Sequence, residues 1–400
     1  MIASEIPWRP CRPLADTAWQ HLRRTAVFTC HKWDHQVEDV ATIARGPLVL
    51  TRSAWATLAH DAEALTRETL TLETELLNRP DLWPDLGLSR SLRRALARTK
   101  QGPAVRVMRF DFHWTTSGWQ VSEVNADVPG GFNESAIAGL MLPHQPECRS
   151  VGDPGNALVT AIAAWVPAKA TIALVHATAY SDDRQVMEFL ADACSRAGLE
   201  ARPCAPDHLQ WTTDGCQVAG QAIAAVIRFF PGEWLPALPR DSGWQHLAGH
   251  QAVVLANPLS AVLVQSKRLP LVWSRLSTPC PTWQRLLPET GAPRLRTTND
   301  DPEWILKPVF GRVGDGIAIT GVSSEKILRA SARSAWWFPG SWIAQRRFTS
   351  VAWDGPEGPC HPCIGVYTVD GQVAGAYGRY APVPLIDHRA VDVPILVEAP

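Results

Sequence analysis

The residues from Arg109 to Asn125 have the spacing of a β-hairpin with charged side chains on one face. Side chains in a strand return to the same face every second residue, so Arg109 and Asp111 share a face. Residues 115–118, Thr-Thr-Ser-Gly, are turn sequence. A turn centred on position 117 sets Asp111 opposite Glu123. The same register sets Arg109 opposite Asn125.

The two facing acids, Asp111 and Glu123, would repel each other across a strand ladder unless a cation lies between them. Magnesium takes oxygen ligands, and it accepts a few from protein when phosphate and water fill its other positions. Asp111, Glu123 and Asn125 are therefore candidate Mg²⁺ ligands. The alternative is an exposed hairpin whose acids are solvated, and the hairpin sequence alone does not decide between the two.

A second candidate site is the glycine-rich sequence GRVGDG, which lies between strand-like runs at residues 304–310 and 317–320. It is not a Walker loop, which enters a helix through Gly-Lys-Ser or Gly-Lys-Thr, and it is not a Rossmann turn. A flexible loop between two strands can present backbone N–H groups to phosphates. Lys307 precedes the loop and can reach a phosphate as a point charge. A plain hairpin with a glycine-rich turn is the alternative.

The elements that would position these residues follow from hydrophobic periodicity. Helices are predicted over residues 16–24, 53–77 and 89–100, the second with Ser53 as its N-cap. Residues 168–204 predict a β-α-β unit without the glycine fingerprint of a dinucleotide site.

Further strands are predicted over residues 252–256 and 341–348. Residues 363–377 predict a hairpin that turns at Asp370-Gly371, with Arg379 just past it.

Length and composition limit the class of protein. The chain has 400 residues, 46% of them hydrophobic, enough for a full core and two or three structural units. Its net charge of -1 and lack of a basic patch argue against nucleic acid as a partner. No apolar run approaches a membrane span, and no signal sequence is visible, so we expect a cytoplasmic protein.

Nine cysteines in a chain without a secretion signal are expected to be mostly reduced. Cys360 and Cys363 have CxxC spacing, but no second pair stands at zinc-site distance, and Pro and Gly surround them. A redox role is therefore the weaker alternative, and we predict a loop there.

Several separate blocks, in the same order, resemble the synthetase domain of glutathionylspermidine synthase, an ATP-grasp amide ligase. The resemblance covers roughly residues 100–400 and, weakly, the N-terminal helices. RFDF with SEVNADVP resembles the family's Arg-x-Asp and Glu-x-Asn-Ala-Asp-x-Pro motifs at matching spacing. The other matching blocks are SDDRQVMEFLADACSRAGL, FFPGEWL, QSKRLPLVW, KPVFGRVGDGI and IGVYTVDGQVAGAYGRY.

The resemblance implies a mixed α+β / α/β fold of ATP-grasp type, with an additional preATP-grasp-like α/β subdomain and a helical N-terminal region. The parts we expect are a mostly helical region over residues 1–100, the metal-binding hairpin and following helix over 101–150, an α/β substrate-side subdomain over 151–250, and the nucleotide-binding region over 251–400.

The resemblance also implies roles for individual positions, carried over from the family motifs. These are Asp111, Glu123 and Asn125 for Mg²⁺; Arg109 for the acid substrate or acyl phosphate; Arg379 for charge in the transition state; Lys267, Lys307 and Gln345 for ATP; and Gly311, Arg312, Gly314 and Gly316 for a phosphate lid. The reaction implied is phosphorylation of a carboxylate by ATP, followed by attack of an amine on the acyl phosphate. The metal and the cations are what such chemistry needs, because charge on the transferred group must be neutralised.

The expected partners are a small-molecule or peptide carboxylate and an amine, such as a polyamine or an amino acid. Three departures from the family concern substrate and lid positions. Gly130 and Gly131 stand where the family offers hydroxyl groups to its peptide substrate, and Val313 and Tyr380 replace acids. The alternative function is a degenerate ATP-grasp protein that binds nucleotide without catalysis.

Overall fold

The structure is a computed structural model, and it describes residues 6–9, 11–37, 40–98, 100–293, 302–312, 314, 316–355 and 358–400. Its architecture is mixed α+β, as the sequence predicts. The helices are α1 (Asp16–Thr29), α2 (Arg52–Leu77), α3 (Arg90–Arg98), α4 (Phe132–Met141), α5 (Pro154–Ala163), α6 (Ser181–Arg196), α7 (Val262–Gln265), α8 (Pro281–Leu286) and α9 (Glu325–Trp337). The strands are β1 (Trp8–Arg9), β2 (Gln36–Val37), β3 (Val40–Ala41), β4 (Leu48–Leu50), β5 (Val107–Thr115), β6 (Gly118–Asn125), β7 (Cys148–Ser150), β8 (Thr171–Val175), β9 (Glu200–Cys204), β10 (Gln210–Trp211), β11 (Cys216–Val218), β12 (Gln221–Ile223), β13 (Ala225–Arg228), β14 (Val254–Ala256), β15 (Thr290–Gly291), β16 (Trp304–Pro308), β17 (Trp342–Arg346), β18 (Trp353–Gly355), β19 (Gly358–Val369), β20 (Gln372–Ala381), β21 (Val391–Val393) and β22 (Ile395–Glu398).

The central sheet is antiparallel, with strand order β21-β20-β19-β5-β6 and with β18 paired to β19. Alternation along β5 sends Phe110 and Phe112 to one face, where they are fully buried in the same core cluster as α2. We call this the back face, and the opposite face, which carries Arg109 and Asp111, the front face. The sheet therefore builds the core and the candidate site from alternate residues of the same strands.

Helix α2 covers the back face because its leucines recur at helical spacing. Leu58, Leu65 and Leu72 are fully buried, and each contributes about 1.5–3 kcal/mol relative to an exposed side chain. The helix is capped by Thr51, whose side chain accepts a hydrogen bond from the Ala54 N–H. The prediction of Ser53 as N-cap is wrong, because the helix begins at Arg52.

The predicted register of the β5–β6 hairpin is confirmed. Asp111 pairs with Glu123, and Arg109 pairs with Asn125. The two strands are joined by a two-residue turn at positions 116 and 117. The register shifts by one residue between Asp111 and Phe112, because a bulge leaves Ser122 without an opposite residue.

The α/β subdomain has a parallel sheet of order β14-β13-β8-β9. Strands β8 and β9 are joined through α6, which confirms the predicted β-α-β unit. The predicted strand over residues 252–256 is also present, as β14.

A small antiparallel sheet, β15-β17-β16, packs against α9 and contributes the second wall of the candidate site. The second strand predicted over residues 317–320 is wrong: the contact with β16 is a single bridge between Leu306 and Ala318. Gly314 and Gly316 have φ of +69° and +71°, so the chain turns away there before a ladder can form.

The loop predicted around Cys360 and Cys363 is also wrong. Both residues lie in β19, and the side chains of both are buried. Across the described residues, no helix has the length and apolar character needed to cross a membrane.

Candidate active site

A cleft lies between the front face of the central sheet and the small sheet. Charged and apolar side chains share its lining. The charged ones include Asp111, Glu123, Lys307 and Arg379, and the apolar ones include Ile305, Ile317, Ile319, Phe348, Leu385 and Ile386. The structure thus brings residues from four predicted motifs to one cavity.

Asp111 lies between Arg109 and Asn125. The Nε and Nη2 atoms of Arg109 donate to the two carboxylate oxygens of Asp111 at 2.7 and 2.9 Å, and the Nδ2 atom of Asn125 donates to one of them at 3.2 Å. Arg109 also donates from Nη1 to the Gly130 carbonyl at 2.7 Å. Bidentate pairing compensates the cost of burying both charges and fixes the orientation of the carboxylate.

Glu123 lies between two lysines. The Nζ atom of Lys267 is 2.9 Å from the Glu123 carboxylate, and it also donates to the Gly311 carbonyl at 2.8 Å. Burial by itself would raise the pKa of Glu123, but Lys267 and Lys307 outweigh it and hold this pKa at about 2. Glu123 is therefore an anion at physiological pH. Considered alone, Lys267 looks like an ordinary surface lysine, but in the fold its side chain is almost fully buried.

Lys307 lies on β16 and points from the small sheet toward the hairpin. Its Nζ atom donates to the Ser122 carbonyl at 3.3 Å. Burial, and then the neighbouring Lys267, lower the pKa of Lys307 to about 8, although Glu123 acts in the opposite direction. Lys307 is therefore mostly protonated at neutral pH, but its pKa lies only slightly above that pH.

Arg379 lies within β20, not beyond it, directly opposite Cys363 on β19. Within the part of the chain that the structure describes, no carboxylate forms an ion pair with Arg379. Its guanidinium carbon lies 5.5 Å from the ring centre of Tyr377. Arg379 therefore presents to the cleft a cation that forms no ion pair with any carboxylate of the described residues.

The glycine loop only partly enters the cleft. Gly314 lines it, and a Cβ there would collide with the Ile386 carbonyl. Gly316 packs against Pro308. Val313, one of the departures from the family motif, lies outside the described residues.

Arg312 turns away from the cleft toward the α/β subdomain. Its Nη2 atom lies 2.8 and 3.0 Å from the two carboxylate oxygens of Glu233. Glu233 lies close to Asp127, which is fully buried and paired with Arg228. Sequence reasoning did not predict this cluster, although the block FFPGEWL contains Glu233.

Gln345 lies on β17, where it lines a second, smaller pocket beside Lys267 and Trp273. Its Nε2 atom donates to the Thr290 hydroxyl at 3.0 Å. Its Oε1 atom is buried and has no hydrogen-bond partner among the described residues. A buried acceptor without a donor is costly, so this atom is suited to a ligand N–H.

Two amide side chains that the sequence analysis did not predict as functional hold the hairpin in place. The Nδ2 atom of Asn257 donates to the Val107 and Ala126 carbonyls at 2.7 and 2.9 Å, and its Oδ1 atom accepts from the Val107 N–H at 2.9 Å. The Oε1 atom of Gln265 accepts from the backbone N–H groups of Ala126 and Asp127 at 2.8 and 3.0 Å. Their partners are distant in sequence, so spacing carried no signal.

The predicted metal ligands fit a hard cation by their chemistry. Among the described residues, no group of three or more His, Cys, Asp or Glu side chains could hold a metal ion. The predicted set is different, because it joins two carboxylates, Asp111 and Glu123, to the amide of Asn125. All three sit on paired positions of β5 and β6 and offer oxygen, which Mg²⁺ prefers.

A cleft between two antiparallel sheets, joined to a parallel α/β subdomain, defines a protein of the ATP-grasp type. The chain belongs to the glutathionylspermidine synthase preATP-grasp family, whose profile matches residues 16–398. This match confirms the resemblance inferred from the ordered motifs.

Two known proteins show how far the likeness extends. An inferred acid–amine ligase of Haemophilus influenzae is 22% identical over 282 residues, which are 68% of this chain and 68% of that protein. The solved apo structure of a glutathione synthetase-like effector from Globodera pallida has a TM-score of 0.60 at 13% identity, covering 96% of this chain and 99% of that chain. At that identity, the second likeness shows the fold alone.

Proposed function

We propose that the protein is an ATP-dependent carboxylate–amine ligase that works through an acyl phosphate. The observation that carries the proposal is the group of charged side chains at the cleft. There the facing pair of Asp111 and Glu123 lies near Lys267, Lys307 and Arg379, and Arg379 forms no ion pair among the described residues. This set of charges suits a polyphosphate and its metal ion, because each negative oxygen can find a cation.

In the proposed reaction, an oxygen of the substrate carboxylate attacks the γ-phosphorus of ATP, and ADP leaves. The amine nitrogen then attacks the acyl carbon, phosphate leaves, and the nitrogen loses a proton to give the amide. Mg²⁺ held by Asp111, Glu123 and Asn125 would neutralise phosphate charge. Arg379 would stabilise charge on the transferred phosphoryl group, and Arg109 would bind the acid or the acyl phosphate.

Other residues near the cleft would contact the phosphates and the adenine of the nucleotide. Lys267 and Lys307 would contact the phosphates of ATP, and Gly314 with its neighbours in the glycine loop would cover them. The unpartnered Oε1 atom of Gln345 would accept a hydrogen bond from the adenine amino group. Arg312 would have to leave Glu233 to reach a phosphate.

The test is ADP release from Mg-ATP in the presence of pooled acids and pooled amines. The acids would be peptides, glutathione and amino acids, and the amines would be polyamines and amino acids. We expect release that requires both pools and is lost in Asp111→Ala. Asp354→Ala, an exposed carboxylate on β18, is the matched control and should retain the activity. Dividing the active pools would identify the substrates.

A second candidate function, nucleotide binding without catalysis, is favoured by one feature of the cleft. Both carboxylate oxygens of Asp111 already accept hydrogen bonds from Arg109. Mg²⁺-dependent binding of ATP without ADP release, for every acid and amine in the pools, would support this function against the ligase proposal.

A further inference from the structure

The aromatic ring of Tyr377 lies next to both Arg109 and Arg379. The guanidinium carbon of Arg109 is 5.4 Å from the ring centre, and that of Arg379 is 5.5 Å from it. Tyr377 is buried on β20, two residues before Arg379 and on the same face of the strand. One side chain therefore contacts both cations.

The Tyr377 ring attracts both guanidinium groups, which repel each other. Arg109 and Arg379 carry like charges, which repel each other in a cleft shielded from water. Asp111 compensates Arg109, but no carboxylate of the described residues pairs with Arg379. The electron-rich face of an aromatic ring attracts a cation with about 0.5–2 kcal/mol, so the Tyr377 ring can hold both groups without neutralising either.

The ring itself is held at its hydroxyl end. The Tyr377 hydroxyl donates to Oδ1 of Asp392 at 2.8 Å. Oδ2 of Asp392 lies 2.8 Å from Nζ of the buried Lys32, which also pairs with Glu134 at 3.0 Å. This chain of charged contacts ties the ring to the loop after α1 and to the first turn of α4.

A glycine packs against one edge of the ring. Gly131 has φ of +94°, and a Cβ there would approach the Tyr377 ring to 2.6 Å. The ring is thus fixed at its tip and on one edge, which leaves it little freedom to move with the arginines.

We propose that Tyr377 is a positioning residue that sets the relative placement of Arg109 and Arg379, so that the two act together on the transferred phosphoryl group. The inference rests on the proposed ligase function, and it goes beyond it by giving a role to a residue to which the resemblance assigned none. Tyr377 acts through the two arginines, without contact of its own with the phosphate.

The test compares the affinities of Mg-ATP and Mg-ADP by calorimetry, because their ratio isolates the γ-phosphate. We expect Tyr377→Leu and Arg379→Gln each to lower the ratio about tenfold, and Tyr377→Phe to lower it no more than about threefold. Phe112→Leu, which removes a buried ring from the back face, should lower the melting temperature and leave the ratio unchanged. An unchanged ratio in Tyr377→Leu would overturn the proposal.

A second series avoids the problem of a leucine variant that does not fold. Phenylalanine with one to four ring fluorines at position 377 withdraws electrons from the ring at nearly constant shape. The ATP-to-ADP affinity ratio should fall stepwise with fluorination if the ring holds the guanidinium groups. A flat series would show a packing role alone and overturn the inference. A wild-type protein that binds neither nucleotide would overturn the ligase proposal and this inference with it.

Discussion

Burial disfavours the charged form of individual side chains in the cleft, and neighbouring charges decide which of them stay ionised. Glu123 stays ionised because Lys267 and Lys307 surround it, whereas Lys307 loses part of its affinity for a proton through burial. His113, in the wall of the same cleft, has a pKa of about 4 because burial disfavours its charged form. The positive charge near neutral pH therefore comes from lysine and arginine.

A pH dependence of nucleotide binding follows from the lowered pKa of Lys307. Below about pH 8 the lysine is protonated and attracts phosphate, and above it the charge is lost. We expect the affinity for Mg-ATP to fall as pH rises, with a midpoint near 8 in the free protein. Lys307→Arg should abolish this midpoint, because a guanidinium stays charged. Calorimetric titrations from pH 6.5 to 9.5 would check it.

The outcome that would contradict this prediction is a midpoint shared by wild type and Lys307→Arg. Titration of Glu123 cannot produce the midpoint, because its pKa of about 2 keeps it ionised throughout the range.

The sequence predicted the residues that alternate along one hairpin, but not those that support them from a distance. Asp111 and Glu123 could be paired because a short turn fixes the register locally. Asn257 and Tyr377 have no such local signal. Each acts on partners brought near by the tertiary fold, and a lone asparagine or tyrosine matches many ordinary roles.

Among the secondary-structure elements, the β5–β6 hairpin depends on the α/β subdomain for its position. Asn257, at the end of β14, bonds to backbone groups at the start of β5 and after the end of β6. These bonds are buried, so loss of the amide would leave carbonyl and N–H groups without partners.

We expect Asn257→Ala to lower the free energy of unfolding by about 2–4 kcal/mol, because several buried polar groups lose their partners. Urea denaturation would measure this change. The same variant should weaken Mg-ATP binding, since the hairpin carries the predicted metal ligands. Asn156→Ala, an exposed asparagine on α5, should change stability by less than about 0.5 kcal/mol. Equal stability of the two variants would argue against the support role of Asn257.

The segment after the glycine loop shows why a run with the apolar pattern of a strand can form almost no strand pairing. Residues 317–320 have the apolar character of a strand, and one bridge to Leu306 does form. The positive φ angles of Gly314 and Gly316 set the direction in which the chain leaves the loop. Sequence pattern reports which residues are apolar, but not the path that brings them back to the sheet.

For the molecule as a whole, the candidate site lies between separately packed layers. The central sheet belongs to the main core cluster, while α9 and the small sheet form a cluster of their own. A ligand in the cleft would contact both walls, so its binding energy would couple two cores that otherwise share few side chains.

We therefore expect Mg-ATP to stabilise the folded chain. At a nucleotide concentration of 100 times Kd, linkage gives about 2.7 kcal/mol, which a thermal shift assay would detect as a rise in Tm. Addition of a chelator should remove most of the shift if Mg²⁺ bridges the phosphates to Asp111 and Glu123. A shift of the same size with chelator, or in Asp111→Ala, would contradict the predicted metal ligands.

The alternation along β5 has a practical meaning for anyone who wishes to change the substrate by directed evolution. Arg109 and Asp111 are interleaved with Phe110 and Phe112, so an insertion or a register slip in this strand exchanges core and cleft residues together. Random libraries aimed at β5 would consist mostly of unfolded clones. Residues 384–386 line the same cleft without regular secondary structure, and diversity placed there would alter ligand contacts while the scaffold survives.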